Sequence, residues 1–154
     1  YAQGDAWRSA LEAVRNRADE LAELLERGRG REVRFLGSGS SYYLGVATAP
    51  AWGRRGWTAR ALPSAEQVLH ADAYAATQPP LAVAVSRSGT TTETLRALEV
   101  LARGGSPTIG VTTPPGGRFR SGLGQRRRKR IDRVASDSSV ASDVMFCPRM
   151  YSIS

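Results

Sequence analysis

Short apolar runs alternate with stretches of helical periodicity over the first three quarters of the chain, and this alternation most limits the fold. Val33-Arg34-Phe35-Leu36 is the first run. Thr58-Ala59-Arg60-Ala61-Leu62, Leu81-Ala82-Val83-Ala84-Val85-Ser86 and Thr108-Ile109-Gly110-Val111-Thr112 follow it. Each has the length and composition of a buried strand. Ahead of the first, Trp7, Leu11, Val14, Ala18, Leu21 and Leu25 recur at helical spacing. They predict one amphipathic helix over about 5–27, stopped by Gly28 and Gly30. Further helices are expected over about 41–54, from Pro63-Ser64 through Leu69, and over 92–103, where Leu95, Leu98 and Leu101 repeat. Strands that alternate with helices imply right-handed crossovers and a parallel sheet. The predicted class is α/β: a three-layer α/β/α domain, doubly wound, with flavodoxin-like strand order and a sheet that lacks its last strand.

The chain has 154 residues, which suits one domain with a real core. It carries one cysteine, Cys147, so no internal disulfide forms, and a reducing, cytoplasmic setting is expected. His70 and Cys147 are the only residues of their types and have no partner at ligand spacing, so no metal is expected. No apolar run approaches the ~18 residues of a membrane span, and no signal peptide is read. The chain begins at Tyr1 rather than Met, and a missing natural N-terminus is expected.

The net charge is +8, but it is unevenly spread. Residues 1–117 carry 13 Arg against 11 acids, whereas residues 118–154 carry 9 Arg or Lys against 3 Asp. The division expected is therefore a folded domain over 1–117 and a basic tail over 118–154. Three readings of the tail stand: a disordered segment, a shifted reading frame after Gly117, or a nucleic-acid-binding arm. The third is disfavoured, because few aromatics accompany Arg126-Arg127-Arg128-Lys129-Arg130.

Two loops carry the chemistry. Gly37-Ser38-Gly39-Ser40-Ser41 follows the first strand, and Ser86-Arg87-Ser88-Gly89-Thr90-Thr91 follows the third. In a doubly wound sheet, ligands bind at strand C-termini where neighbouring crossovers part. Glycine permits tight turns, helix N-termini offer N–H groups, and Ser or Thr hydroxyls add donors without bulk. Together they form a neutral cradle suited to a phosphate. A plainer reading is that Ser and Thr simply cap helices. Other motifs fail on spacing. The first loop lacks the third glycine of G-x-G-x-x-G, and neither a Walker loop nor a G-x-S-x-G elbow is present. A Rossmann-type nucleotide-binding domain remains an alternative.

At these loops the chain resembles the SIS (sugar isomerase) domain family, above all the isomerase domains of glutamine–fructose-6-phosphate aminotransferases. The resemblance rests on Ser38-Gly39-Ser40-Ser41-Tyr42 and on Ser86-Arg87-Ser88-Gly89-Thr90-Thr91-Thr92-Glu93-Thr94, and covers about residues 7–117. Two positions depart from the family pattern: Ser38 replaces a common Cys, and Thr90 an acid. The resemblance implies that Ser40, Ser86, Ser88 and Thr91 hold the phosphate of a hexose or hexosamine phosphate. Gly39, Ser41, Arg87 and Gly89 would line the pocket. It implies no cofactor, a homodimer, and a role in aldose–ketose isomerisation or amino transfer. A non-catalytic sugar-phosphate sensor is the alternative.

Isomerisation needs a base beside the reacting carbons. Glu93 and Glu66 are weak candidates, the lone lysine Lys129 lies in the basic block, and no catalytic residue is assigned. Whether this chain is an enzyme by itself stays open, because the family's further elements are not recognisable after Gly117. The other frames of the coding DNA distinguish the tail readings: a shifted frame predicts that one of them, after the Gly117 codon, continues the strand–helix alternation.

Overall fold

Successive side chains of the central strands go to opposite faces, and both faces are covered. The computed structural model describes residues 2–112 and 144–146. In β1 (Val33–Gly37), Val33 and Phe35 enter one core, while Leu36 enters the other. In β3 (Leu81–Val85), Leu81 and Val83 join the first core, and Ala82 and Ala84 join the second. This period-2 division is what a sheet buried on both sides requires. β2 (Ala59–Pro63) and β4 (Thr108–Val111) flank this pair, and the order is β2-β1-β3-β4-β5 with every pair parallel. β5 is the three-residue segment Val144–Phe146, paired with β4 at the edge expected to be empty. The flavodoxin-like order and the α/β class are as the sequence predicts. The rest of the basic tail, with Lys129 and Cys147, lies outside the described residues.

The long N-terminal helix is two helices, α1 (Ala2–Arg15) and α2 (Ala18–Arg27). The break falls at Asn16-Arg17, where the Arg17 N–H donates to the Val14 carbonyl at 3.1 Å in a tight turn. Arg17 also grips Glu20 through two bonds of 2.8 and 2.7 Å, which fixes the start of α2. α2 and α3 (Ser40–Gly53) cover the first face: Leu24 of α2 and Ala49 of α3 are buried there. Trp52 of α3 meets Phe35 edge-on at 5.7 Å and Trp57 at 5.4 Å. α4 (Ser64–Leu69), a short 3-10 turn (Ala71–Tyr74) and α5 (Thr92–Arg103) cover the second face. There Ala97, Leu98 and Leu101 pack on Leu36, Leu62, Ala82 and Ala84.

One charge is buried in the middle of this second face. The Arg34 side chain is 1% exposed and donates to Glu32 at 2.8 Å and to the Gln67 amide oxygen at 2.7 Å. Arg60 also donates to Glu32 at 2.8 Å. Burial alone would push the Glu32 carboxyl up, but hydrogen bonds and charge from Arg60 and Arg34 outweigh it, and its pKa is lowered. A group with a depressed folded pKa stabilises above its unfolded value and ceases to as pH falls through the folded one. The Glu32 contribution to stability is therefore complete at neutral pH and lost in acid, below the ordinary carboxylate range. Glu32→Gln leaves Arg34 with no counter-charge and is expected to cost about 3 kcal/mol at pH 7. Denaturant melts of both chains at neutral pH and at pH 3 check this, with the gap between them closing in acid.

Candidate functional site

A hydroxyl residue stands immediately after each of the first four strands: Ser38, Ser64, Ser86 and Thr112. The register pairs Gly37 with Pro63, Leu36 with Ala84, and Val85 with Val111. The four hydroxyl residues thus form one row along the C-terminal edge of the sheet, in the order Ser64, Ser38, Ser86, Thr112. β1 and β3 lie side by side, yet α3 leaves to the first face and α5 to the second. A crevice opens between two loops at such a switch point.

Each loop is turned by a glycine that L side chains rarely replace. Gly39 has φ 56° and ψ −128°, and Gly89 has φ 65°. Gly37 makes a further close approach: a Cβ there would lie 2.6 Å from the Ser41 carbonyl carbon and the Tyr42 nitrogen. The missing side chain lets the first turn of α3 rest directly on the end of β1. Neither α3 nor α5 has a side-chain hydrogen bond at its N-cap, so backbone N–H groups at both helix starts are left to other partners.

The β3–α5 loop is organised by its own hydroxyls. Ser86 Oγ is buried, accepts the Gly89 N–H at 3.2 Å, and lies 3.0 Å from Thr91 Oγ1. Thr112 Oγ1 donates to the Arg87 carbonyl at 3.4 Å and ties the loop to β4. Ser88 is exposed, and its Oγ accepts both the Thr90 N–H at 3.2 Å and the Thr90 hydroxyl at 2.9 Å. A serine hydroxyl has two acceptor positions and one hydrogen. Both acceptor positions of Ser88 are filled, so its hydrogen is left to donate. Such a group meets an anion better than a cation.

The structure brings the expected residues to one edge but divides them by role. Gly39, Ser40, Arg87 and Ser88 are exposed, Ser41 and Thr91 are half-buried, and Ser86 and Gly89 are buried. The Ser86 and Thr91 hydroxyls are used first to shape the loop. Two residues not singled out from the sequence belong to the same edge. Thr94 Oγ1 is 3.0 Å from Ser64 Oγ and 3.5 Å from Ser38 Oγ. The signal for Ser64 was present, since it follows a strand as Ser38 and Ser86 do.

The candidate bases are less favourably placed. Glu93 is exposed in the first turn of α5. Glu66 is exposed and accepts the Tyr74 hydroxyl at 2.5 Å, a bond that also raises the Tyr74 pKa. His70 is exposed at the end of α4. Among the described residues no three His, Cys, Asp or Glu side chains gather as a metal site. No helix among them is long and apolar enough to cross a membrane. A groove of about 410 Å³ between α3 and β2, lined by Val46, Pro50, Trp57 and Ala61 among others, has neither a charged side chain nor a Ser or Thr hydroxyl in its lining and does not suit a phosphate.

Solved structures of phosphosugar proteins share this arrangement of strands and helices. Tagatose-6-phosphate ketose/aldose isomerase from Escherichia coli superposes with a TM-score of 0.66 at 20% identity, over 94% of this chain and 37% of that one. The chain has an SIS-type fold. The Vibrio vulnificus NanR protein, complexed with ManNAc-6P, matches at TM-score 0.63 and 18% identity, over 97% of this chain and 52% of that one. The C-terminal domain of glucosamine-fructose-6-phosphate aminotransferase from Francisella tularensis matches at 0.60 and 19%, over 85% and 31%. This chain spans between about a third and a half of the length of these structures. No family model and no curated protein matches its sequence.

The glycine turn of the first loop has a direct check. Gly39→Ala forces a side chain into a backbone region that costs about 1–3 kcal/mol. The expected result is a lower melting temperature for the variant; an unchanged melt would mean that the turn is not held as described.

Proposed function

We propose that this chain binds a phosphorylated hexose or hexosamine in the crevice between the β1–α3 and β3–α5 loops. The observation that carries the reading is the Ser88 hydroxyl, exposed in the β3–α5 loop with both acceptor positions filled by Thr90 and its one hydrogen left to donate. In this reading Ser40 and Ser88 donate directly to the phosphate. Ser86 and Thr91 hold the second loop in shape and complete the cradle. Gly39, Ser41, Arg87 and Gly89 line it, with backbone N–H groups approaching where glycine leaves room. Neutral donors at a helix N-terminus can replace the water shell of a dianion without a fixed counter-ion. No cofactor is required.

The role that follows is the sugar-phosphate-binding domain of an isomerase or aminotransferase-type enzyme of amino-sugar metabolism, working in the cytoplasm as a homodimer. The dimer has support in α3, which carries no charged residue and exposes Tyr43, Leu44 and Val46. The fold likeness to a sugar-phosphate-bound NanR keeps a second reading, a non-catalytic sensor. That reading is favoured by Glu66, which is held by the Tyr74 hydroxyl.

A ligand that binds only the folded chain raises its melting temperature. Millimolar glucosamine 6-phosphate or fructose 6-phosphate is expected to raise it, and NAD is not. Ser88→Ala removes one donor and is expected to weaken binding by about 1–3 kcal/mol. A rise with NAD alone, or equal affinity in the variant, contradicts the proposal. Turnover assays with the same sugars separate enzyme from sensor.

A further inference from the structure

We propose that Thr94 is a positioning residue that holds the two cradle loops at a fixed separation. The inference rests on the phosphosugar reading and deepens it. Thr94 lies in the first turn of α5 with 0% of its surface exposed, so it cannot touch a ligand in the crevice. Its hydroxyl faces Ser64, also 0% exposed, across 3.0 Å, and Ser38 across 3.5 Å. Ser64 begins α4 after β2, and Ser38 begins the loop between β1 and α3. One buried hydroxyl therefore links the starts of three crossovers, including both loops of the crevice.

The chemistry of a hydroxyl allows this. Thr94 Oγ1 has one hydrogen and two acceptor positions, enough to serve both serines at once. Buried hydroxyls that lose a partner are penalised, so the chain of three resists opening. A phosphate gripped from two sides needs both sets of donors within hydrogen-bond reach together. Small misplacements of such groups are costly even when the displaced residue is remote. Without the Thr94 hydroxyl, the first turn of α5 loses its side-chain contacts with Ser38 and Ser64.

The test uses the full chain and glucosamine 6-phosphate as probe, with affinity by calorimetry and ligand-free melting curves alongside. Thr94→Val keeps the shape and removes the hydroxyl. Thr94→Ser keeps the hydroxyl and removes the methyl group. The expected result is a loss of affinity of about tenfold in Thr94→Val, the size of one typical hydrogen bond, with Thr94→Ser close to the parent. If Thr94→Val does not fold, Ser38→Ala removes the same link from the side of the first loop and is read in the same way. Parental affinity in the folded hydroxyl-free variant overturns the inference. So does an equal loss in Thr94→Ser, because the effect then follows packing rather than the hydrogen bond. If the parent chain itself binds no phosphosugar, the phosphosugar reading fails first and this inference falls with it.

Discussion

Parallel strands oblige each connection to return across a face of the sheet, and the face chosen decides where a ligand can enter. Here β1 and β3 are neighbours whose following helices depart to opposite faces. Two glycine-turned loops follow those strand ends. Everything distinctive about the site follows from that divergence. It aims two helix N-termini at one place and aligns a row of hydroxyls from Ser64 to Thr112. It also keeps both loops on rigid strand ends rather than on mobile connections.

The sheet can hold this geometry because both of its faces are packed. Leu24, Phe35 and Ile109 fill one side, and Leu36, Leu98 and Leu101 fill the other. Burying Arg34 within the second face is costly unless the charge is compensated. Glu32, immediately before β1, does this and also pairs with Arg60 of β2, so that one carboxylate bridges two strands. The charged cluster lies toward the N-terminal half of the sheet, and the neutral hydroxyl row lies at the opposite end. In the proposed binding mode a phosphate at the crevice lies away from the Arg34 ion pair.

The fold was largely legible because β1 and β3 are buried on both faces, and such strands read as apolar runs. The two loops were legible because backbone constraints demand glycine at Gly39 and Gly89. What escaped had no local signature. The break at Asn16-Arg17 lies under an unbroken apolar period that continues from α1 into α2. β5 is three residues long and follows a Ser- and Asp-rich stretch. The bond between Ser64 and Thr94 joins residues 30 apart, and only the packing of α4 beside α5 brings them together. The direction of the Ser88 hydroxyl depends on Thr90, and residue types alone do not give it.

The central claim is that one ligand is held by both loops together. The most direct measurement is a titration of the full chain with glucosamine 6-phosphate, followed by amide nitrogen–proton correlation spectra. The account predicts that the amides of Gly39–Ser41 and of Ser88–Thr91 shift together along one saturation curve. Shifts confined to a single loop, or centred on the groove beside Trp57, would contradict it.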